Sequence, residues 1–324
     1  MLTCVLALGL VSIVGSGGIS GCGFAYCPDA FYNIPPLPTV EPTRSIVQVG
    51  GTATFSVRAP GITNPTYQWS RRSMNGPSTD IPGATGATYT LAGANLSDDG
   101  ATFSATVRGG FNGEPVVVES WSSWPLIVSS MPAVVFQDSE FQATNWSIAE
   151  ISEPTTGGPT HVEEQVLNGG NPGAYRRTTI TMSAGPSRLH VFDTFASAVY
   201  DPASQGPLYI VEFTQDCIAL SETLGVGPTL LLEQNGRRYI ASELTPCEPG
   251  TWSNMTLNPA HLSVWNFYRV DGPTCNASEA CPDFSAGGKP IRFGFANSNQ
   301  ALAAYAGGSG GFGIDNWKVS AWRR

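Results

Sequence analysis

Between residues 38 and 130 apolar and polar side chains alternate with a period of two. Ala53, Phe55 and Val57 are separated by Thr54 and Ser56, and Phe103, Ala105 and Val107 by Ser104 and Thr106. Successive side chains of a strand point to opposite faces, so these runs predict strands with one buried and one solvated face. Shorter apolar runs lie at residues 46–49, 67–69, 88–91, 116–118 and 124–128, with turn formers such as Gly50-Gly51 and residues 95–100 between them. Seven or more short strands at this spacing predict an antiparallel sandwich.

The same texture continues to the C-terminus. Candidate strands are YRRTTITMSA (175–184), LHVFDTFASAVYDP (189–202), PLYIVEFTQDC (207–217), IRFGFANSN (291–299) and FGIDNWKVSAW (312–322). Between LLLE and RRYIAS, Gln234-Asn235-Gly236 predicts a tight hairpin, because Asn-Gly suits a type I′ turn. No helix of ordinary length is required, and residues 133–324 read as one large jelly roll. The expected fold class is all-β, one small sandwich followed by a larger one.

The N-terminus breaks the pattern. Residues 5–14, VLALGLVSIV, form an apolar run too short to span a bilayer as a helix, but of the length found in signal-peptide cores. Small residues lead to Ile19-Ser20-Gly21-Cys22, which resembles the lipobox of bacterial lipoproteins. The resemblance implies cleavage before Cys22 and acylation of its thiol, giving a stable membrane anchor. A plain secretory peptide with Cys22 as half of a disulfide is the alternative. Residues 22–37 then form a tether that Pro28, Pro35 and Pro36 keep extended. The expected partition is signal peptide 1–21, tether 22–37, and modules 38–130 and 133–324. The expected location is the cell envelope, at the outer membrane or cell surface.

Composition narrows the function classes. Charged residues are 13% of the chain, well below the usual quarter, and Gly (37) and Pro (25) are abundant. This suits short strands, many turns and an extracellular surface. The 16 basic residues are scattered and the net charge is −9, so no basic face is offered to nucleic acid.

Two further resemblances add to this reading. Residues 38–130 resemble a bacterial immunoglobulin-like domain. Trp69 matches its core tryptophan, Val57 and Ala105 match the positions of the usual cystine, and LSDDGATF is similar to the D-x-G-x-Y corner. The disulfide of that family is missing here, so the core must rely on packing. Phe103, without a hydroxyl, cannot supply the corner hydrogen bond. Trp121 and Trp124 are expected in core and interdomain packing. In the second module, the opening QDSEFQATNWSI and the closing G-I-D-N followed by an alternating strand resemble concanavalin A-like and laminin G-like sandwiches.

Cysteine use fits export. Cys217, Cys247, Cys275 and Cys281 lie in the second module and permit three pairings. Local pairing, Cys217–Cys247 and Cys275–Cys281, is the expectation. Cys27 is left over in the tether.

Catalytic signatures are wanting. There is no H-E-x-x-H or P-loop, the one G-x-S-x-G match, Gly307-Gly308-Ser309-Gly310-Gly311, lies in a glycine run ahead of the strand-like FGIDNWKVSAW rather than between a strand and a helix, and His161, His190 and His261 are far apart in sequence. A polysaccharide hydrolase would need paired carboxylates. The nearest offer is Glu212 and Asp216, four apart on one strand face; adjacent Glu163 and Glu164 point to opposite faces. The chain is therefore read as a non-enzyme, with a cryptic hydrolase kept as an alternative. Binding a sugar asks less, namely an aromatic face and a few polar groups. The candidate ligand residues are Trp146, Trp252, Asn266 and Tyr268, the last two on the outward face of VWNFYRV. The laminin-type resemblance implies calcium at loop rims, with Asp193, Asp201 and Asp315 as candidates. The expected function is a lipid-anchored surface protein that binds a glycan or another surface ligand; a purely structural envelope protein is the rival.

Overall fold

The computed structural model describes residues 35–221, 228–242, 246–261, 267–272 and 281–323. The chain divides between Met131 and Pro132 into two compact units. Cys22, Cys27, Asn266 and Cys275 lie outside the described residues.

In the N-terminal unit, β1 (Thr39–Glu41), β3 (Ala53–Arg58) and β6 (Thr88–Leu91) form one antiparallel sheet. A second holds β4 (Thr63–Arg72), β5 (Ser78–Asp80), β7 (Thr102–Phe111) and β8 (Glu114–Glu119), in the order β5-β4-β7-β8. The short strands β2 (Ile46–Gln48) and β9 (Ile127–Ser129) pair in parallel. The alternating residues seen in the sequence supply the core: Ala53, Phe55, Val57, Phe103, Ala105 and Val107 are all buried. Phe55 stacks on Phe103 at 4.6 Å between sheets, and Tyr89 lies 5.5 Å from Phe103. Trp69 is fully buried opposite Ala105, and its indole N–H donates to Gly86 O at 2.9 Å. The LSDDG segment folds as a 3-10 turn, Leu96–Asp98, in which the Asn95 and Asp98 side chains cap each other's backbone N–H groups. Asp98 also pairs with Arg71 at 2.9 Å. Contrary to expectation, Trp121 and Trp124 are not core residues: they are 54% and 55% exposed, and the Arg44 guanidinium sits 3.8 Å over the Trp124 ring.

The C-terminal unit is a larger two-sheet sandwich. One sheet runs β12 (Thr160–Gly170), β13 (Gly173–Met182), β21 (Gly308–Arg323), β15 (Leu208–Ala219), β18 (Ser253–His261), and β10 (Val134–Asp138) also pairs with β21. The other runs β11 (Trp146–Glu153), β14 (Ser187–Tyr200), β20 (Ile291–Ala301), β16 (Thr229–Gln234), β17 (Arg237–Ala241), β19 (Phe267–Arg269). All these pairings are antiparallel. The β16–β17 hairpin turns on Asn235 and Gly236, with φ of 53° and 71°, as the Asn-Gly signal requires. Between the sheets lies an aromatic-rich core that includes Trp146, Phe195, Phe213, Phe293, Phe295 and Trp317. Cys217 and Cys247 are disulfide-bonded, as expected from their neighbourhood in sequence, and Cys281 is also disulfide-bonded. No helix among the described residues is long and apolar enough to cross a membrane.

Candidate functional site

The two faces of the second sheet carry different residues. On β14, Leu189 and Val191 join the main core, while Phe192 belongs to a separate cluster on the opposite face with Leu231, Ile240 and Ala296. Ala149, Ile151, Tyr268 and Val270 pack against that second cluster. Since alternate residues share a face, Arg188 and His190 stand beside Phe192.

That face is concave. Tyr268 lies on β19, at the sheet edge, and Ser298 on β20, three strand spacings away. In a flat sheet this is roughly 14 Å, beyond the reach of a tyrosine side chain. Yet Tyr268 lines one hollow with His190, on the far side of β20, and its hydroxyl interacts with Ser298. The sheet therefore curls, bringing the segment that starts at Tyr268 over the strands of the far edge. Ser298 Oγ also lies 2.8 Å from His190 Nδ1, so it links the two rings.

The hollow is a cavity of about 580 Å³. One wall is Ile151, Glu153, Arg188 and His190; the other is the run from Tyr268 to Gly272. Each wall carries an ion pair. Glu153 and Arg188 are register partners on β11 and β14, 2.9 Å apart. Arg269 donates from Nε to Asp271 Oδ1 at 2.8 Å. A Cβ at Gly272 would fall 2.5 Å from the Arg269 guanidinium carbon, so the glycine leaves room for the end of that side chain. Burial pushes the Tyr268 hydroxyl above its ordinary pKa, so it stays protonated. Burial, and then the neighbouring Arg188 charge, hold His190 below its ordinary value, so its ring is neutral at neutral pH. The cleft thus offers one aromatic ring, a neutral imidazole, and donors and acceptors in adjacent pairs. Its volume falls in the range of small-molecule sites.

Of the residues singled out in the sequence, Tyr268 lines this cleft. The other candidates among the described residues lie elsewhere. Trp146 is a core residue, not a platform: it is 6% exposed, stacked on Phe141 at 5.6 Å and Phe195 at 5.0 Å, with Trp317 edge-on at 5.3 Å. Its indole N–H donates to Asp138 at 2.7 Å. Trp252 sits just ahead of β18, on the other sheet. It donates to Gly169 O at 3.0 Å and meets the edge of Tyr175 at 5.4 Å.

The three aspartates considered for calcium do not converge. Asp193 is fully buried against Arg176. Asp201 caps the short helix α1 (Pro202–Gln205), accepting from Ala203 N at 3.1 Å and Ser204 Oγ at 2.8 Å. Asp315 accepts from the backbone N–H groups of Asn171 at 2.5 Å and Asn316 at 2.6 Å. Burial raises its pKa, and those two hydrogen bonds oppose the shift. Beside it, Asp216 accepts from the side-chain amides of Asn254, Asn316 and Asn171 at 2.8, 2.7 and 3.3 Å. Every oxygen of this pair already meets an N–H, so the cluster pins the β12–β13 hairpin tip. Among the described residues no three His, Cys, Asp or Glu side chains are grouped to hold a metal ion.

Glu212 and Asp216 do not form an acid pair either. Glu212 accepts from the Trp322 indole at 2.6 Å, whereas Asp216 belongs to the asparagine cluster. Four residues along a strand is about 13 Å, wider than the ~5–9.5 Å between glycosidase carboxylates. Glu163 and Glu164 do face opposite ways: Glu163 points inward to Arg176, and Glu164 pairs outside with Arg177.

No protein-family model and no curated protein matches this chain.

Sequence reasoning passed over Glu153, Arg188, Arg269 and Asp271, and set His190 aside as one of three scattered histidines. One signal was present in SRLHVF, where Arg188 and His190 alternate with core residues Leu189 and Val191, marking a polar outer face. Another was the charged pair Arg269 and Asp271, immediately after Tyr268.

Proposed function

We propose that this is an exported, non-catalytic surface protein, anchored in the cell envelope through lipid on Cys22, that binds a glycan or another surface ligand in the cleft beside Tyr268. The N-terminal unit serves as an immunoglobulin-like spacer, and the C-terminal unit as a concanavalin A-like ligand module. The observation that carries the reading is the convergence, on one concave face, of Tyr268 with His190 and two ion pairs around a cavity of about 580 Å³. An aromatic ring offers a sugar its apolar face, and fixed polar groups orient the hydroxyls. The lipobox at residues 19–22 and the oxidised Cys217–Cys247 pair support export.

Two measurements test it. Mass spectrometry of the mature N-terminus is expected to find an acylated Cys22; an unmodified or uncleaved terminus would refute the anchor. On a glycan array, the full chain is expected to bind and Tyr268→Ala to lose binding. Binding unaffected by Tyr268→Ala would refute the cleft.

A further inference from the structure

The cleft is electrically self-contained. Arg188 is countered by Glu153 at 2.9 Å and Arg269 by Asp271 at 2.8 Å. His190 adds no charge at neutral pH, because burial and Arg188 hold its pKa down. Two cations and two anions cancel, and each guanidinium meets a carboxylate, with Arg188 Nε left as a donor without a partner among the described residues. The second pair is largely covered, with side-chain exposures of 17% and 18%, whereas Arg188 and Glu153 are 42% and 57% exposed.

We infer that the ligand is a neutral, hydroxyl-rich saccharide rather than an acidic one; this rests on the cleft being the binding site proposed above. A hydroxyl both donates and accepts, and an arginine–carboxylate pair presents a donor and an acceptor side by side. Each ion pair can therefore hold one hydroxyl, or two vicinal ones, without a change in charge. A ligand carboxylate would have to displace Glu153 or Asp271 from its arginine, or be buried beside it, and like charges brought together in an interface are costly. Tyr268 is positioned at the cleft wall by its packing on the Phe192 cluster and its interaction with Ser298, and Ser298 is held in turn by His190.

The test is an array of neutral hexo-oligosaccharides and hexuronic-acid oligosaccharides of equal length, probed with the full chain and with Glu153→Gln. The full chain is expected to bind neutral members at least about tenfold more tightly, a factor equal to 1.4 kcal/mol. Glu153→Gln leaves Arg188 uncompensated and is expected to raise binding of the acidic members. Circular dichroism checks that this half-exposed substitution leaves the fold intact. Tighter binding of acidic members by the unsubstituted chain, lost in Arg188→Met, would overturn the neutral-ligand inference while leaving the cleft as the site. Absence of binding to either class would overturn the glycan reading and this inference together.

Discussion

Glu163 on one sheet of the C-terminal unit and Asp193 on the other meet at one guanidinium, that of Arg176. Its Nε lies 3.2 Å from Glu163 and a terminal nitrogen 2.5 Å from Asp193, with all three side chains at most 3% exposed. Glu163 Oε1 finds no hydrogen-bond partner among the described residues. Two buried carboxyls and one cation leave one negative charge too many for the interior, so a proton is retained in preference to an uncompensated charge.

The first prediction concerns pH. Burial, before any other cause, raises both carboxyls; the charge of Asp193 adds to Glu163, and Arg176 opposes both shifts. Asp193 moves from an ordinary 3.8 to about 6. The folded state therefore holds protons more tightly than the unfolded one. The resulting stability is fully present below about pH 4 and is lost as pH rises through 6. For Asp193 alone this is about 3 kcal/mol, at 1.36 kcal/mol per pH unit. His190, with its depressed pKa, works the opposite way as pH falls below its ordinary value of 6.5. Urea unfolding of the full chain and of Asp193→Asn, from pH 4 to 8, separates the two. The unsubstituted chain should lose stability relative to the variant as pH rises, and parallel curves would contradict this.

The second concerns charge balance. Glu163→Gln keeps the shape and removes the surplus acid, so at pH 8 it should raise the unfolding free energy toward its low-pH value. Arg176→Met strands two buried carboxyls and should cost about 3–5 kcal/mol. Equal losses in urea melts would show that the arginine is not the common counterion.

The sandwich architecture was legible in the sequence because its cause is local. Phe55/Val57 and Phe103/Ala105/Val107 alternate, and Asn235-Gly236 can turn tightly at little cost. The cleft was not legible, because its residues come from distant segments joined only by sheet curvature: Tyr268 reaches Ser298 and His190 across several strands. Trp146 and Tyr268 looked equivalent as aromatics, yet register puts one in the core and leaves the other in the cleft. In YRRTTITM the two adjacent arginines are indistinguishable by type. Only pairing with β12 decides that Arg176 enters the core while Arg177 stays outside.

The third prediction concerns the disulfide. Cys217 and Cys247 close a loop with a sequence separation of 30. Chain-entropy arguments assign such a closure about 3–4 kcal/mol. The double variant Cys217→Ala/Cys247→Ala should therefore unfold at clearly lower urea; an unchanged midpoint would mean the closed loop contributes nothing.

The fourth concerns the N-terminal unit, whose core between β3 and β7 is held by packing. Phe103 is fully buried, stacked on Phe55 and close to Tyr89. Phe103→Ala should cost about 3–5 kcal/mol in urea unfolding, as a large cavity in a packed core does. A loss below about 1 kcal/mol would indicate a core that collapses around the gap.

The most direct measurement on the cleft is hydrogen–deuterium exchange of the full chain with and without a bound array-positive oligosaccharide. The account predicts new protection in the segment from Tyr268 to Gly272 and in β14 around Arg188 and His190. Protection confined to the N-terminal unit, or to the asparagine cluster around Asp216, would contradict it.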